Sequence, residues 1–172
     1  MAFETFGHKA RIAGRVTDAQ TGRPLPGALI AIANGPEVFA AADGFFRFLD
    51  LPAGSYTLTA SLPGSGSRYA AKSVQVALGT NLATADLALP ATTVKGKVKD
   101  QSGQAVRMAE VRVQGSNESA WSDAQGNYAL SGVEAGARRI AVSARGFQKV
   151  SEAVTLGQPG AVVTQDVTLS PP

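Results

Sequence analysis

The chain repeats itself at a spacing of 82 residues. Gly14-Arg-Val16-Thr-Asp18 returns as Gly96-Lys-Val98-Lys-Asp100, and Gly44-Phe-Phe46 returns as Gly126-Asn-Tyr128. Gly54 and Gly136, Leu58 and Ile140, and Gly64 and Gly146 keep the same offset. Further on, Val76-Ala-Leu78-Gly79 matches Val154-Thr-Leu156-Gly157, and Asp86-Leu-Ala-Leu89 matches Asp166-Val-Thr-Leu169, after a short deletion in the second copy. Turn glycines and apolar spacing shared in this way mark two copies of one folding unit. The copies run over residues 11–90 and 91–172, behind an N-terminal tail at residues 1–10.

Within each copy the apolar period is two. Tyr56, Leu58 and Ala60 alternate with polar residues; so do Val74, Val76 and Leu78, then Val111 and Val113, then Val167 and Leu169. That alternation predicts short strands with one buried face. Turn signals separate the runs: Thr21-Gly22, Leu25-Pro26-Gly27, Asp43-Gly44, Pro52-Ala-Gly54 and Leu62-Pro63-Gly64. The 19 glycines and 9 prolines fit many turns and leave little room for long helices. About seven strands in about 80 residues predict a Greek-key β-sandwich, so the fold class is all-β, with two tandem seven-stranded sandwiches.

At this point each copy resembles a carboxypeptidase regulatory-like domain, a transthyretin-like (prealbumin-like) sandwich. In the first copy the resemblance rests on Gly14–Asp18, Thr21-Gly-Arg-Pro-Leu-Pro-Gly-Ala28, Asp43-Gly-Phe-Phe46-Arg-Phe48 and Leu51-Pro-Ala-Gly-Ser-Tyr56-Thr-Leu58. In the second it rests on Gly96–Asp100, Ser122-Asp-Ala-Gln-Gly-Asn-Tyr128-Ala-Leu130 and Val133-Glu-Ala-Gly136. The second copy departs in two places, with Val106-Arg-Met-Ala109 where the first has Leu-Pro-Gly-Ala and Arg138 where the first has Tyr56. The resemblance implies an accessory role: such domains brace, space or dock other proteins, and some relatives bind carbohydrate.

Catalysis finds few candidates in the sequence. The one histidine, His8, sits in the tail, and there is no cysteine, so neither a nucleophile–base pair nor a thiolate or histidine metal cluster can be assembled. The acids Asp18, Asp43, Asp50 and Asp86 and their counterparts fall at turns or strand ends, where solvation and turn bonding account for them. The Asp123-Ala-Gln-Gly126-Asn-Tyr128 segment has a distant likeness to a calcium loop but lacks the further carboxylates such loops need. It reads as a hairpin in which Asp123 accepts from backbone N–H groups two residues on and Tyr128 turns inward. A self-formed Lys–Asn crosslink also lacks its parts, since the first copy has no Lys on its first strand and the second has no Asn near its last. The expectation is a non-enzymatic chain with no catalytic residue, no metal and no cofactor.

Charge narrows the partners. The net charge of +3 is spread out: residues 11–90 hold six basic and five acidic groups, residues 91–172 nine and seven. With no clustered basic tail, nucleic acid is not an expected partner. No run approaches the roughly 18 apolar residues of a membrane helix, so no membrane insertion is expected. The first ten residues carry no apolar signal core, which points to the cytoplasm or to a place inside an assembled particle.

Three features suggest where a protein partner would bind. Phe39 and Trp121 occupy equivalent positions, five residues before the turn glycine. If Ala40 and Ser122 face inward, both aromatics point out, where they can anchor an interface or stack on a sugar; a slip of one residue would bury both. Phe45 is apolar at a turn where the other copy has Asn127, which suggests a local contact, with the neighbouring domain or a partner. Lys95, Lys97 and Lys99 alternate with Val94, Gly96 and Val98 and therefore share one strand face. They can receive an acidic partner, or they can protect an exposed edge strand from pairing and solvate that face. Phe3 and Phe6 in the tail can dock on the first domain or a partner by strand addition. The segment Leu89-Pro90-Ala-Thr-Thr93 reads as a short, stiff linker of a two-domain rod. The leading functional expectation is a structural, protein-binding component of a larger assembly, such as a phage-tail-like contractile injection particle. The alternative is a carbohydrate-binding accessory domain.

Overall fold

The computed structural model describes residues 10–172; Phe3, Phe6 and His8 lie outside the described residues. The chain divides into two compact units at Pro90/Ala91. The first contains β1 (Arg11–Asp18), β2 (Leu29–Ile32), β3 (Glu37–Phe39), β4 (Phe45–Phe48), β5 (Gly54–Ser61), β6 (Lys72–Leu78), β7 (Leu82–Thr84) and β8 (Leu87–Leu89). The second contains β9 (Thr93–Asp100), β10 (Glu110–Val113), β11 (Ser119–Trp121), β12 (Asn127–Ser131), β13 (Gly136–Ser143), β14 (Val150–Leu156), β15 (Val162–Thr164) and β16 (Val167–Leu169). No helix occurs among the described residues, and no helix is long and apolar enough to cross a membrane.

Each unit is a pair of four-stranded sheets. In the first, β4–β1–β7, with β8 also on β1, faces β3–β2–β5–β6; in the second, β12–β9–β15, with β16 also on β9, faces β11–β10–β13–β14. The chain crosses between sheets after β1, β3, β4 and β6, which is the Greek-key sandwich that the turn spacing predicts.

Eight strands stand where seven are expected because the last one is interrupted. Both β7 and β8 run parallel to β1 in one unbroken register, Ala13 opposite Thr84 and Val16 opposite Leu87. At the gap the Asp86 side chain takes over from the backbone: its Oδ1 accepts from Arg15 N–H at 3.0 Å, while Ala85 N–H donates to the Ala13 carbonyl at 2.9 Å. The second copy repeats this, with Asp166 Oδ1 accepting from Lys97 N–H at 2.9 Å and Gln165 N–H donating to the Lys95 carbonyl at 2.8 Å. The close approach needs a residue without a side chain opposite the gap, and Gly14 and Gly96 stand there. A Cβ on Gly14 would lie 1.8 Å from the Ala85 oxygen, and one on Gly96 would lie 2.2 Å from the Gln165 oxygen.

Two separate cores result. Ile12, Val16, Ile30, Leu58, Leu87 and Leu89 are fully buried in the first; Val94, Val98, Val111, Ile140, Leu156 and Leu169 in the second. Each such side chain contributes about 1.5–3 kcal/mol by leaving water. The period-two reading holds for Leu58, Ala60, Val76, Leu78, Val111, Val113, Val167 and Leu169, all buried, while Tyr56 and Val74 are half-buried towards the strand ends.

The short segment between the two units is held by hydrogen bonds at both of its ends. Pro90 accepts at its carbonyl from Ala70 N–H (2.9 Å) within the first unit. Thr92 and Thr93 are buried within the second, where the Thr92 carbonyl accepts from Gly132 and Val133 N–H at 3.0 Å each, its Oγ1 accepts from Gly160 N–H at 2.8 Å, and Thr93 N–H donates to the Ala161 carbonyl at 2.8 Å. Buried backbone must find partners, and Thr92 and Thr93 find them in the body of the second sandwich.

One turn carries strain that its counterpart lacks. Gly27 has φ of 79°, and the equivalent Met108 is held at 61°, a left-handed conformation that costs a residue with a Cβ on the order of 1 kcal/mol. Met108 N–H donates to the Ser122 carbonyl (3.0 Å) as Gly27 N–H does to that of Ala40 (3.0 Å), so the shared turn imposes the angle. Met108→Gly is expected to raise the stability of the second domain by about 0.5–1 kcal/mol, read as a higher midpoint in denaturant titration of the full chain.

Candidate functional site

Asp18, Asp43, Asp86, Asp100, Asp123 and Asp166 are all occupied with backbone N–H groups. Asp18 is buried; its Oδ1 accepts from Gln20 N–H (2.7 Å) and Thr21 N–H (3.0 Å), and its Oδ2 accepts from the Tyr69 hydroxyl (2.8 Å). Its counterpart Asp100 accepts from the Ser102 hydroxyl (2.7 Å) and from Ser102 and Gln104 N–H (2.9 and 3.0 Å). The Ser102 hydroxyl is the chief reason its carboxyl lies below the usual range. Asp123 accepts at Oδ1 from Gln125 and Asn127 N–H, both at 2.9 Å, which is the hairpin expected from its sequence. Among the described residues no three His, Cys, Asp or Glu side chains come together as a metal site.

The side-chain parity at Phe39 and Trp121 is decided by the residues that follow them. Ala40 and Ser122 are buried. The Ser122 hydroxyl donates to the Val106 carbonyl (2.6 Å) and accepts from Ala109 N–H (2.9 Å), which pins it inward. The preceding aromatics must then point out, and Phe39 is 64% and Trp121 57% exposed. Each ends an edge strand, β3 in the first unit and β11 in the second.

The structure corrects the reading of the lysine row as protection for an edge strand. β9 has β12 on one side and β15 and β16 on the other, so it lies inside its sheet and has no edge to protect. Lys95 and Lys97 are exposed on the outer face and Lys99 is half-buried. Among the described residues none of the three has an ion-pair partner, whereas Arg112 pairs with Glu110 at 3.0 Å.

Two of those lysines and Trp121 meet in one shallow hollow of about 760 Å³ in the second domain. Its lining includes Lys95, Lys97, Trp121, Asp123, Asn127 and Asp166. The lysines come from β9, Asn127 from β12 and Trp121 from β11 of the facing sheet, so the hollow lies along the seam where the two sheets meet. Beneath it the buried Tyr128 hydroxyl donates to the Gln165 carbonyl at the strand gap. Burial first, and then the charges of Asp166 and Glu152, push its pKa well above the ordinary tyrosine value, so it stays protonated and serves as a fixed donor.

The same face of the first domain is shaped differently. Phe45, 46% exposed, stands at the Asn127 position as the first residue of β4, and the Arg15 guanidinium lies 5.8 Å from its ring centroid. There the ring stands between two smaller hollows: one of about 390 Å³ beside Ala13 and Leu82, the other of about 570 Å³ beside Phe39 and Arg47. Of the six side chains singled out by sequence, the structure therefore gathers Trp121, Lys95 and Lys97 in one place, sets Phe39 and Phe45 on the first domain, and leaves Lys99 outside the hollow. Sequence reasoning missed Asp123, Asn127 and Asp166 as lining residues. Their signal was present in the Asn127/Phe45 difference and in the Asp86/Asp166 repeat, but the seam that joins them is not local in sequence.

Among solved structures, the Bacillus anthracis TIE protein matches 94% of the chain at 14% identity and a TM-score of 0.42, and the chain spans 34% of that protein's length. A streptococcal ancillary pilin matches 98% at 17% identity and a TM-score of 0.40, with 64% of its own length covered. The shaft pilin SpaA from Lactobacillus rhamnosus GG matches 97% at 10% identity and a TM-score of 0.44, with 98% of its own length covered. No curated protein matches the chain in sequence. The carboxypeptidase regulatory-like domain model matches twice, over residues 11–90 and 93–170, in line with two sandwiches that share turn glycines, the Asp-bridged strand gap and the paired sheets. The chain thus belongs to the carboxypeptidase regulatory-like domain family, as two copies in tandem.

Proposed function

We propose that the chain is a non-catalytic protein-binding module, a connecting or accessory component of a larger assembly, and that the hollow of the second domain is its docking point. The observation that carries this reading is Trp121, more than half exposed in a hollow that it lines together with lysines that have no ion-pair partner among the described residues. A large amphipathic side chain left in water on a stable sandwich gains most by leaving it against a partner, and Trp is the commonest residue to dominate binding energy. The absence of chemistry in the reading rests on how the acids are used: Asp18, Asp86, Asp100, Asp123 and Asp166 each hold backbone N–H groups in turns or at strand gaps.

The test is photo-crosslinking of the full chain in lysate of its own host, with captured proteins identified by mass spectrometry. Trp121→Ala should reduce capture about 30-fold while leaving the circular dichroism spectrum and thermal midpoint in place. Sheath or baseplate proteins among those captured would favour a contractile injection particle as the setting. Capture unchanged by Trp121→Ala would remove the hollow from the interface. A carbohydrate reading draws on the same tryptophan, which stands beside Asp123 and Asn127 as a stacking ring with hydrogen-bonding neighbours. A glycan array on which Trp121→Ala abolishes a specific signal, with no protein captured, would select it.

A further inference from the structure

We infer that the outer face of β9 receives an extended acidic peptide segment of the partner, with carboxylates at alternate residues over Lys95, Lys97 and Lys99 and an apolar side chain against Trp121. The inference rests on the protein-binding reading and adds the chemistry of the partner.

Three facts about this face carry the inference. The lysines stand at every second residue of one strand, which spaces their Cα atoms about 7 Å apart along a straight line. An extended peptide presents its own alternate side chains at that same pitch, so several charge pairs form without bending either chain. Next, β9 is hydrogen-bonded on both sides, so its backbone offers nothing for strand addition and the partner must be recognised through side chains. Finally, the neighbouring carboxylates are already engaged. Asp166 Oδ1 holds Lys97 N–H and Asp123 Oδ1 holds two hairpin N–H groups, and neither acid forms a salt bridge to the lysines. Both acids keep their charge, yet neither lies within salt-bridge distance of a lysine, so the ammonium groups stand without a paired anion, and Trp121 in the same hollow supplies an apolar contact.

The first domain is a built-in comparison. The positions equivalent to the three lysines are Ala13, Arg15 and Thr17, and the single cation is covered by Phe45. The same sandwich there presents no row of charge, which places the acidic-peptide face in the second domain alone.

The experiment measures fluorescence anisotropy of a labelled synthetic peptide with glutamate at every second position, threonine between and one leucine at the end, against the full chain. A peptide of identical composition with its glutamates contiguous and an oligogalacturonate serve as competitors. The alternating peptide is expected to bind. Lys95→Gln, Lys97→Gln and Lys99→Gln together should weaken it about tenfold or more, Arg15→Gln should leave it unchanged, and raising salt from about 50 to about 300 mM should weaken it severalfold. Melting curves of each variant check that the fold is intact. Equal binding of the contiguous peptide, tighter binding of the oligogalacturonate, no binding of the alternating peptide, or no loss in the triple variant would overturn the inference. Trp121-dependent protein capture that persists through such a failure would leave the protein-binding reading standing, and loss of that capture would remove the reading itself.

Discussion

Gly14→Ala is expected to destabilise the first domain by at least about 3 kcal/mol and to leave the second domain folded. The added Cβ would lie 1.8 Å from the Ala85 oxygen, 2.5 Å from the Ala85 carbon and 3.1 Å from Phe46 Cε2. Two of those neighbours are backbone, held where they are by the Ala85 N–H bond to Ala13 and by the Asp86 bridge to Arg15, so relief requires breaking the parallel pairing of β1 with the last strand. A domain of this size has only about 5–15 kcal/mol to lose in total, and a cost of about 3 kcal/mol lowers its melting temperature by about 15 °C. The measurement is built into the sequence. Trp121 is the single tryptophan and belongs to the second domain, so its fluorescence follows that domain while circular dichroism follows both. In Gly14→Ala part of the dichroism signal should melt early with the fluorescence transition in place. In Gly96→Ala, where the clash is 2.2 Å with the Gln165 oxygen, the fluorescence transition itself should move. Unchanged melting in both variants would mean that the strand gap is not a rigid feature of the fold.

Ile140→Ala should produce the other large effect, about 3–4 kcal/mol lost from the second domain. Ile140 is fully buried on β13, opposite Val113 of β10 and Glu152 of β14, in the interior of its sheet. Truncation removes three carbons from contact and leaves a space that the surrounding Val111, Val142 and Val154 cannot close, because each is tied to a strand ladder. Denaturant titration followed by Trp121 fluorescence should show the midpoint fall with the slope unchanged. Val162→Ala, an exposed position on β15 of the same domain, should stay within about 0.5 kcal/mol of the parent.

These two variants also divide what could be read from sequence from what could not. The repeat at 82 residues, the alternation at Leu58 and Val111 and the turn chemistry of Asp123 were all legible, because each depends on residues close in the chain. Gly14 and Gly96 were legible as repeated glycines, yet nothing local said that a carbonyl from about 70 residues further on would press against them. Met108 was legible as a departure from Pro-Gly, and the cost appeared only once the turn was seen to impose its angle on both copies. For Phe39 and Trp121 the local pattern allowed either parity. The buried hydroxyl of Ser122, bonded to Val106 and Ala109 across the sandwich edge, settled it. The alternation of Lys95, Lys97 and Lys99 marks one strand face but not an edge, since alternation reports which side chains share a face and carries no information about a strand's neighbours.

By itself, then, the order of residues determined that this chain forms two related all-β units, where most of their strands and turns fall, and which side chains of the longer strands alternate inward, because hydrophobic period and turn preference act over a few residues. Only the tertiary structure decided that Trp121, Lys95 and Lys97 share a hollow and that Asp86 and Asp166 bridge a gap in the last strand. Those are products of strand pairing and sheet stacking between residues tens of positions apart, set by which arrangement buries both apolar faces at once.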